Sequence, residues 1–101
     1  MDAKLKADWL KALRSGEYRQ AQASLRHRGA FCCLGVLADI QGAKWVNGSP
    51  IFDGVENDSA ADLEPRFAGG LRRATQQTLA DMNDKGESFK KIADYIERRI
   101  A

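Results

Sequence analysis

The sequence predicts an α+β fold: a small single domain of about four helices with a short β-hairpin or small sheet. Three observations carry this. Apolar residues recur at helical spacing near both ends, a dense apolar run fills positions 30–38, and Asn47-Gly48 stands between two short apolar segments as a tight-turn pair.

The elements follow in order. Leu5, Trp9 and Leu13, with Leu10 beside them, share one helical face, and Ser15-Gly16 is a stop signal, which predicts a helix over 3–15. Tyr18 to Leu25 reads as extended, with Arg26-His27-Arg28-Gly29 as a turn leading into Ala30-Phe31. Cys33, Val36, Leu37 and Ile40 fit i, i+3, i+4, i+7, so Cys32 to Gln41 is a buried helix closed by Gly42, although Gly35 is a poor helix former. Lys44-Trp45-Val46, Asn47-Gly48 and Ile51-Phe52 form a hairpin, and Pro50 assigns its second strand to a sheet edge.

Residues 53–70, with Gly54, Pro65, Gly69 and Gly70, read as a surface loop holding at most one short helical turn. Leu71, Thr75, Thr78, Leu79 and Met82 share a helix face that ends at Asn83-Asp84-Lys85-Gly86. Ser88 caps a last helix over 88–100, with Phe89, Ile92, Ala93, Ile96 and Ile100 on one side, and these two helices make a helical hairpin.

A chain of 101 residues, 44% hydrophobic and 30% charged, is one domain of ordinary globular composition, spanning 1–101. The apolar run Ala30–Ala38 is about half the roughly 18 residues that a membrane span needs, and the N-terminus has no secretory pattern. A cytoplasmic protein with no membrane contact is the expectation. Cys32 and Cys33 are neighbours, so a bridge between them closes almost no loop, and both read as reduced thiols. With two cysteines and His27 alone, a four-ligand Cys/His zinc site is arithmetically excluded. The chain also lacks a Walker loop and a Gly-x-Gly-x-x-Gly fingerprint, so no cofactor is implied.

The formal net charge of +2 hides a segregation. Residues 1–38 carry +4, residues 39–64 carry −5 and residues 65–101 carry +3. The acidic middle either neutralises the basic ends or leaves a basic surface for an anion. Arg19, Arg26 and Arg28 are the candidate phosphate ligands, being guanidinium forks that flank a helix start. Tyr18 and Trp45 are candidate stacking faces, while Gln20, Asn83 and Asp84 are candidates for reading polar edges. The bland alternative makes these arginines solvated and Tyr18 and Trp45 part of a small core.

Two further patterns bear on chemistry. Cys32 or Cys33 at a helix N-terminus, with His27 as base, would suit a thiolate nucleophile, but Cys33 lies on the apolar stripe and no third orienting residue is identifiable, so no catalytic residue is assigned. The run Gly86-x-Ser88-Phe89-x-x-Ile92-Ala93 looks like the opening of a DNA-binding helix-turn-helix, yet no recognition helix follows Ile96. Nucleic acid is therefore not the expected partner.

Three stretches act together as a signature: Trp9-Leu10-x-Ala12-Leu13-Arg14-Ser15-Gly16-x-Tyr18-x-Gln20, Phe31-Cys32-Cys33-Leu34-Gly35-Val36-Leu37-x-Asp39, and Met82-Asn83-Asp84-x-Gly86-x-Ser88-Phe89-x-x-Ile92-Ala93-Asp94-Tyr95-Ile96-Glu97. This set resembles small uncharacterised proteins of tailed bacteriophages and prophages. The resemblance implies an anti-defence role in the host bacterial cytoplasm: sequestration of a nucleotide immune signal, such as a cyclic nucleotide or an ADP-ribose derivative, without turnover. A small anionic nucleotide is then the expected partner, bound by a homo-oligomer, because one small domain offers few concavities large enough to bury it. An inhibitor of a host protein, a cysteine-dependent enzyme and a DNA-binding protein are the alternatives.

Overall fold

A computed structural model describes residues 1–101. Four helices are joined by two small antiparallel sheets, and the predicted α+β class is the observed one. Helix α1 (Ala3–Arg14) starts at Asp2, whose carboxylate accepts from the Leu5 N–H at 2.7 Å, and buries Trp9, Leu10 and Leu13. It ends one residue earlier than the apolar spacing predicts, where the Ser15 hydroxyl donates back to the Ala12 carbonyl at 2.7 Å.

The extended segment expected over 18–25 is not a strand. Only Gln20 bridges a neighbour, lying parallel to Phe31, and the rest is bends and irregular backbone with Ala23 at φ 72°. A two-residue hairpin follows, β1 (Arg26–His27) against β2 (Ala30–Phe31), so the turn is confined to Arg28-Gly29. Both residues have positive φ, 50° and 76°, as a type I′ connection demands.

Helix α2 (Cys33–Ile40) is the core element, and every residue from Cys33 to Ala38 is buried. Each of Leu34, Val36 and Leu37 contributes about 1.5–3 kcal/mol relative to exposure. Its start is fixed by three contacts. The Cys32 sulfur accepts from the Gly35 N–H, the Asn83 amide oxygen accepts from the Cys33 N–H at 3.2 Å, and the Trp9 indole donates to the Cys33 carbonyl at 2.9 Å. Gly35 lies directly against the backbone of Leu25, with no room for a side chain.

The predicted hairpin is present as β3 (Lys44–Val46) and β4 (Ser49–Phe52), joined by Asn47-Gly48, but a third strand, β5 (Val55–Glu56), extends it through a second positive-φ pair, Asp53-Gly54. The order β3-β4-β5 makes β4 central, so Pro50 is not on an edge strand as its ring suggests. Pro50 faces Trp45 on one side, and on the other its carbonyl accepts from the Asn57 N–H at 3.0 Å. The donor it lacks therefore falls just beyond the end of β5, where little pairing is lost.

Residues 53–70 contain the one short helical turn expected there, and more besides. Beyond β5 and a 3-10 turn at Pro65–Phe67, they bury Asn57, Leu63 and Ala68. Two buried amides replace a strand ladder here. Asn57 donates to the Ser59 and Asp62 carbonyls at 2.7 and 2.8 Å and accepts from the Glu64 N–H. Gln76 accepts from the Leu63 N–H and donates to the Leu63 and Leu71 carbonyls, all within 2.9 Å. Buried backbone groups need partners, and these amides supply them locally.

Helix α3 (Arg73–Asp84) begins two residues after Leu71 and buries Gln76, Leu79 and Asn83. Helix α4 (Phe89–Arg99) is capped by Ser88, whose hydroxyl accepts from the Lys91 N–H, and buries Phe89, Ile92, Ala93 and Ile96. The two run as consecutive helices across a short turn, but α4 packs chiefly on α1. Arg14 of α1 bridges Asp94 and Glu97 of α4 at 2.8 and 2.9 Å. No helix is long and apolar enough to cross a membrane.

Candidate functional site, a basic hairpin on an aromatic cluster

The site is built around Phe31 of β2. Tyr18 meets its ring edge-on at 5.1 Å between centroids, and Trp45 of β3 does so at 5.7 Å. Arg26, paired with Phe31 across the hairpin, lays its guanidinium over both rings, 5.4 Å from the centre of Phe31 and 5.7 Å from that of Trp45. Asp39 in the last turn of α2 ties the rings down, accepting from the Tyr18 hydroxyl at 2.6 Å and from the Trp45 indole at 3.0 Å. Burial, reinforced by that carboxylate hydrogen bond, raises the Tyr18 pKa well above the ordinary tyrosine range.

Sequence reasoning named Tyr18, Arg26 and Trp45 for this place but missed Phe31 and Asp39, which organise it. A signal existed for Asp39. A carboxylate in the last turn of a buried helix opposes the macrodipole and needs donors from elsewhere, and the nearby Tyr18 and Trp45 supply them. Arg26 already lies over the Trp45 ring, so a base stacking there would have to share or displace it.

The arginines differ in setting. Arg19 and Arg28 are exposed, and Arg19 borders the hairpin through its carbonyl, which accepts from the Phe31 N–H at 2.8 Å. Arg26 is half-buried, and its Nε is enclosed without a hydrogen-bond partner. None of the three forms an ion pair. Three of the six acidic residues of the middle are ion-paired, Asp58 and Asp62 with Arg73 and Glu64 with Arg66. The hairpin arginines thus form no ion pair with the acidic middle.

Gln20, Asn83 and Asp84 form a second, separate group, and their polar atoms serve the chain itself. Gln20 donates to the Asn83 side-chain oxygen at 2.9 Å and to the Glu87 carbonyl at 2.7 Å. Asn83, fully buried, donates to the Ala21 carbonyl at 2.7 Å, and the Asp84 carboxylate accepts from the Ala23 N–H at 2.9 Å. Together they clasp the irregular segment 20–23 onto the end of α3.

The thiols are placed for packing. Both are free and buried, with Cys33 within 3.7 Å of the Leu79 carbonyl, and His27 stands exposed on the hairpin. Burial pushes the Cys32 pKa up to about 11 and raises that of Cys33 well above the ordinary value. A thiol whose pKa is raised in the folded state stabilises the fold below its unfolded pKa, and this contribution fades as pH climbs from about 9 towards 11. Both cysteines should therefore label slowly with a disulfide reagent at pH 8 and rapidly once the chain is unfolded in urea. Fast stoichiometric labelling of the folded chain would contradict this placement.

The concavities lie apart from the three arginines. The most enclosed, about 110 Å³ beside Cys32, is lined in part by Asp62 and Asp84, charges that oppose an anion. A shallower groove of about 390 Å³ runs past Tyr18, Lys11 and Glu17. None of the five concavities is lined by Arg19, Arg26 or Arg28.

Residues 1–50 match a family model described as a domain of unknown function, DUF8296. That segment, just under half of the chain, carries the whole Arg26 cluster but neither Asn83 nor Asp84. No curated protein and no solved structure matches the chain.

Proposed function

We propose that this chain is a non-enzymatic binding protein that holds an anionic, ring-bearing ligand of the nucleotide class at the Arg26 face, working as a homo-oligomer. One observation carries the reading: Arg26, seated over two aromatic rings with an enclosed and unpartnered Nε, forms no ion pair, and neither do Arg19 and Arg28. A guanidinium over aromatic rings, with two further unpaired arginines close to it in the sequence, suits phosphate oxygens and a base or sugar face. The resemblance to phage and prophage proteins points the same way, towards sequestration of a host immune nucleotide in the bacterial cytoplasm. Gln20, Asn83 and Asp84 act in this reading as supports of the segment next to Arg19.

The test is thermal melting with a panel of signalling nucleotides. At about 100 times Kd a ligand adds about 2.7 kcal/mol, and for a chain of this size that raises Tm by about 10–20 °C. Arg26→Gln should weaken binding at least about tenfold, the loss of one charged hydrogen-bonding group, and the nucleotide should be recovered chemically unchanged. No shift with any member of the panel, or a shift indifferent to Arg26→Gln, would sink the reading. A second reading, an acidic protein partner, is favoured by the absence of Arg19, Arg26 and Arg28 from every concavity. Recovery of a stoichiometric protein and no nucleotide from host lysate, lost in Arg26→Gln, would select it.

A further inference from the structure

The three-stranded sheet has two faces of different character. The row Trp45, Pro50 and Asn57 points inward, with Pro50 and Asn57 buried and Trp45 on the Arg26 cluster. The alternation of a strand then sends the next row outward, and the register sets Lys44, Ile51 and Glu56 side by side across β3, β4 and β5. On this outer face Ile51 is only half-buried, and Val46 is 53% exposed, the most exposed large aliphatic side chain of the chain. Lys44 and Glu56 are both exposed and neither forms an ion pair. The face is a shallow concavity bordered by Gly42, Asp53 and Gly54.

A row reading positive, apolar, negative is complementary to itself. A two-fold axis parallel to β4 and passing by Ile51 sets Ile51 on the partner's Ile51, Lys44 on the partner's Glu56 and Glu56 on the partner's Lys44. An axis across the strands would instead oppose lysine to lysine and glutamate to glutamate, so the charges select one of the two arrangements. We propose that the outer face of this sheet is a homodimer interface, in which two copies stack face to face with strands aligned, as packed sheets prefer. The pair is a reversible one, because three short strands bury less than the roughly 1,200 Å² in total that marks stable interfaces. Asp53, on the rim near the axis, meets its own copy and sets a limit on affinity. The inference rests on the oligomeric part of the reading above and not on its ligand.

The experiment is analytical ultracentrifugation of the full chain without nucleotide, at low salt, from about 10 µM to about 1 mM, a range suited to a weak reversible pair. The wild-type chain should move towards twice the monomer mass as concentration rises. Lys44→Glu alone and Glu56→Lys alone should each weaken association at least about fivefold, because each places like charges opposite one another twice. An equimolar mixture of the two single variants should associate again, since each then meets its complement. Asp53→Asn, which keeps a residue suited to the turn, should tighten the pair. A wild-type chain that stays monomeric to the highest concentration overturns the proposal. So does association unaffected by either reversal, or a mixture no better than its components. These positions are exposed, and equal melting temperatures would show the variants folded. Nucleotide melting shifts measured on Lys44→Glu, whose Arg26 cluster is intact, separate failure of the dimer from failure of the ligand reading.

Discussion

Gly35→Ala should destabilise the chain by at least about 3 kcal/mol and leave little cooperative fold at 37 °C. In an exposed helix the same change is stabilising by about 1 kcal/mol, because alanine restricts the unfolded chain and favours helix. Here the sign reverses. A Cβ built at Gly35 would stand 1.8 Å from the Leu25 carbonyl oxygen and 2.8 Å from its carbon, and both are backbone atoms with no rotamer to escape into. That carbonyl also accepts from the Cys32 N–H at 3.2 Å, so moving it breaks the entry to α2 as well. The strain joins the overpacking penalty, usually about 1–3 kcal/mol, to the loss of a buried hydrogen bond. Urea unfolding followed by Trp fluorescence measures it, and a midpoint equal to or above wild type would show that the helix and Leu25 separate at little cost.

Asn83→Ala is the second large effect, with an expected loss of about 2–4 kcal/mol. The buried amide makes three contacts, taking the Cys33 N–H and the Gln20 side chain on its oxygen and giving a hydrogen to the Ala21 carbonyl. Truncation leaves the Cys33 N–H and the Ala21 carbonyl without partners, and each unsatisfied buried group costs about 1–3 kcal/mol. Asn83→Asp discriminates between shape and chemistry, because it keeps the acceptor but turns an oxygen towards the Ala21 carbonyl. It too should destabilise. Asp84→Asn, at an exposed side chain that keeps its acceptor towards Ala23, should change stability by less than about 0.5 kcal/mol. Equal stability of Asn83→Ala and wild type would remove Asn83 from the architecture altogether.

The helices and the Asn47-Gly48 hairpin could be read from the sequence because their determinants are local. Spacing of Leu5, Trp9 and Leu13, the caps Asp2 and Ser88, and the Asn-Gly pair act within a few residues. The segment 18–25, expected as extended, and the buried anchors within 53–70 draw their order from distant amides, Asn83 for the first and Gln76 for the second. Polar residues at those positions of a helix face look like breaks in an apolar stripe, which is why α3 was expected to bury Thr75 and Thr78 where it buries Gln76 and Asn83. β5 was signalled by Asp53-Gly54 but is only two residues long, too short for a period-2 pattern. At the candidate site the chemistry of Arg26, Tyr18 and Trp45 was visible in residue type. Their convergence on Phe31 and Asp39 was not, because Asp39 lies 21 residues from Tyr18 and 6 from Trp45, in different elements.

The clasp between α3 and residues 20–23 also governs the order in which the chain folds. The hydrogen bonds from Asn83 and Asp84 to that segment span 61 to 63 residues, so they form only after most of the chain has been gathered in, whereas each tight turn and helix closes over a few residues. The stretch bearing Arg19 is consequently a late piece of the folding reaction. Nascent chains that have not yet produced α3 carry residues 20–23 without the partners that clasp them in the folded chain.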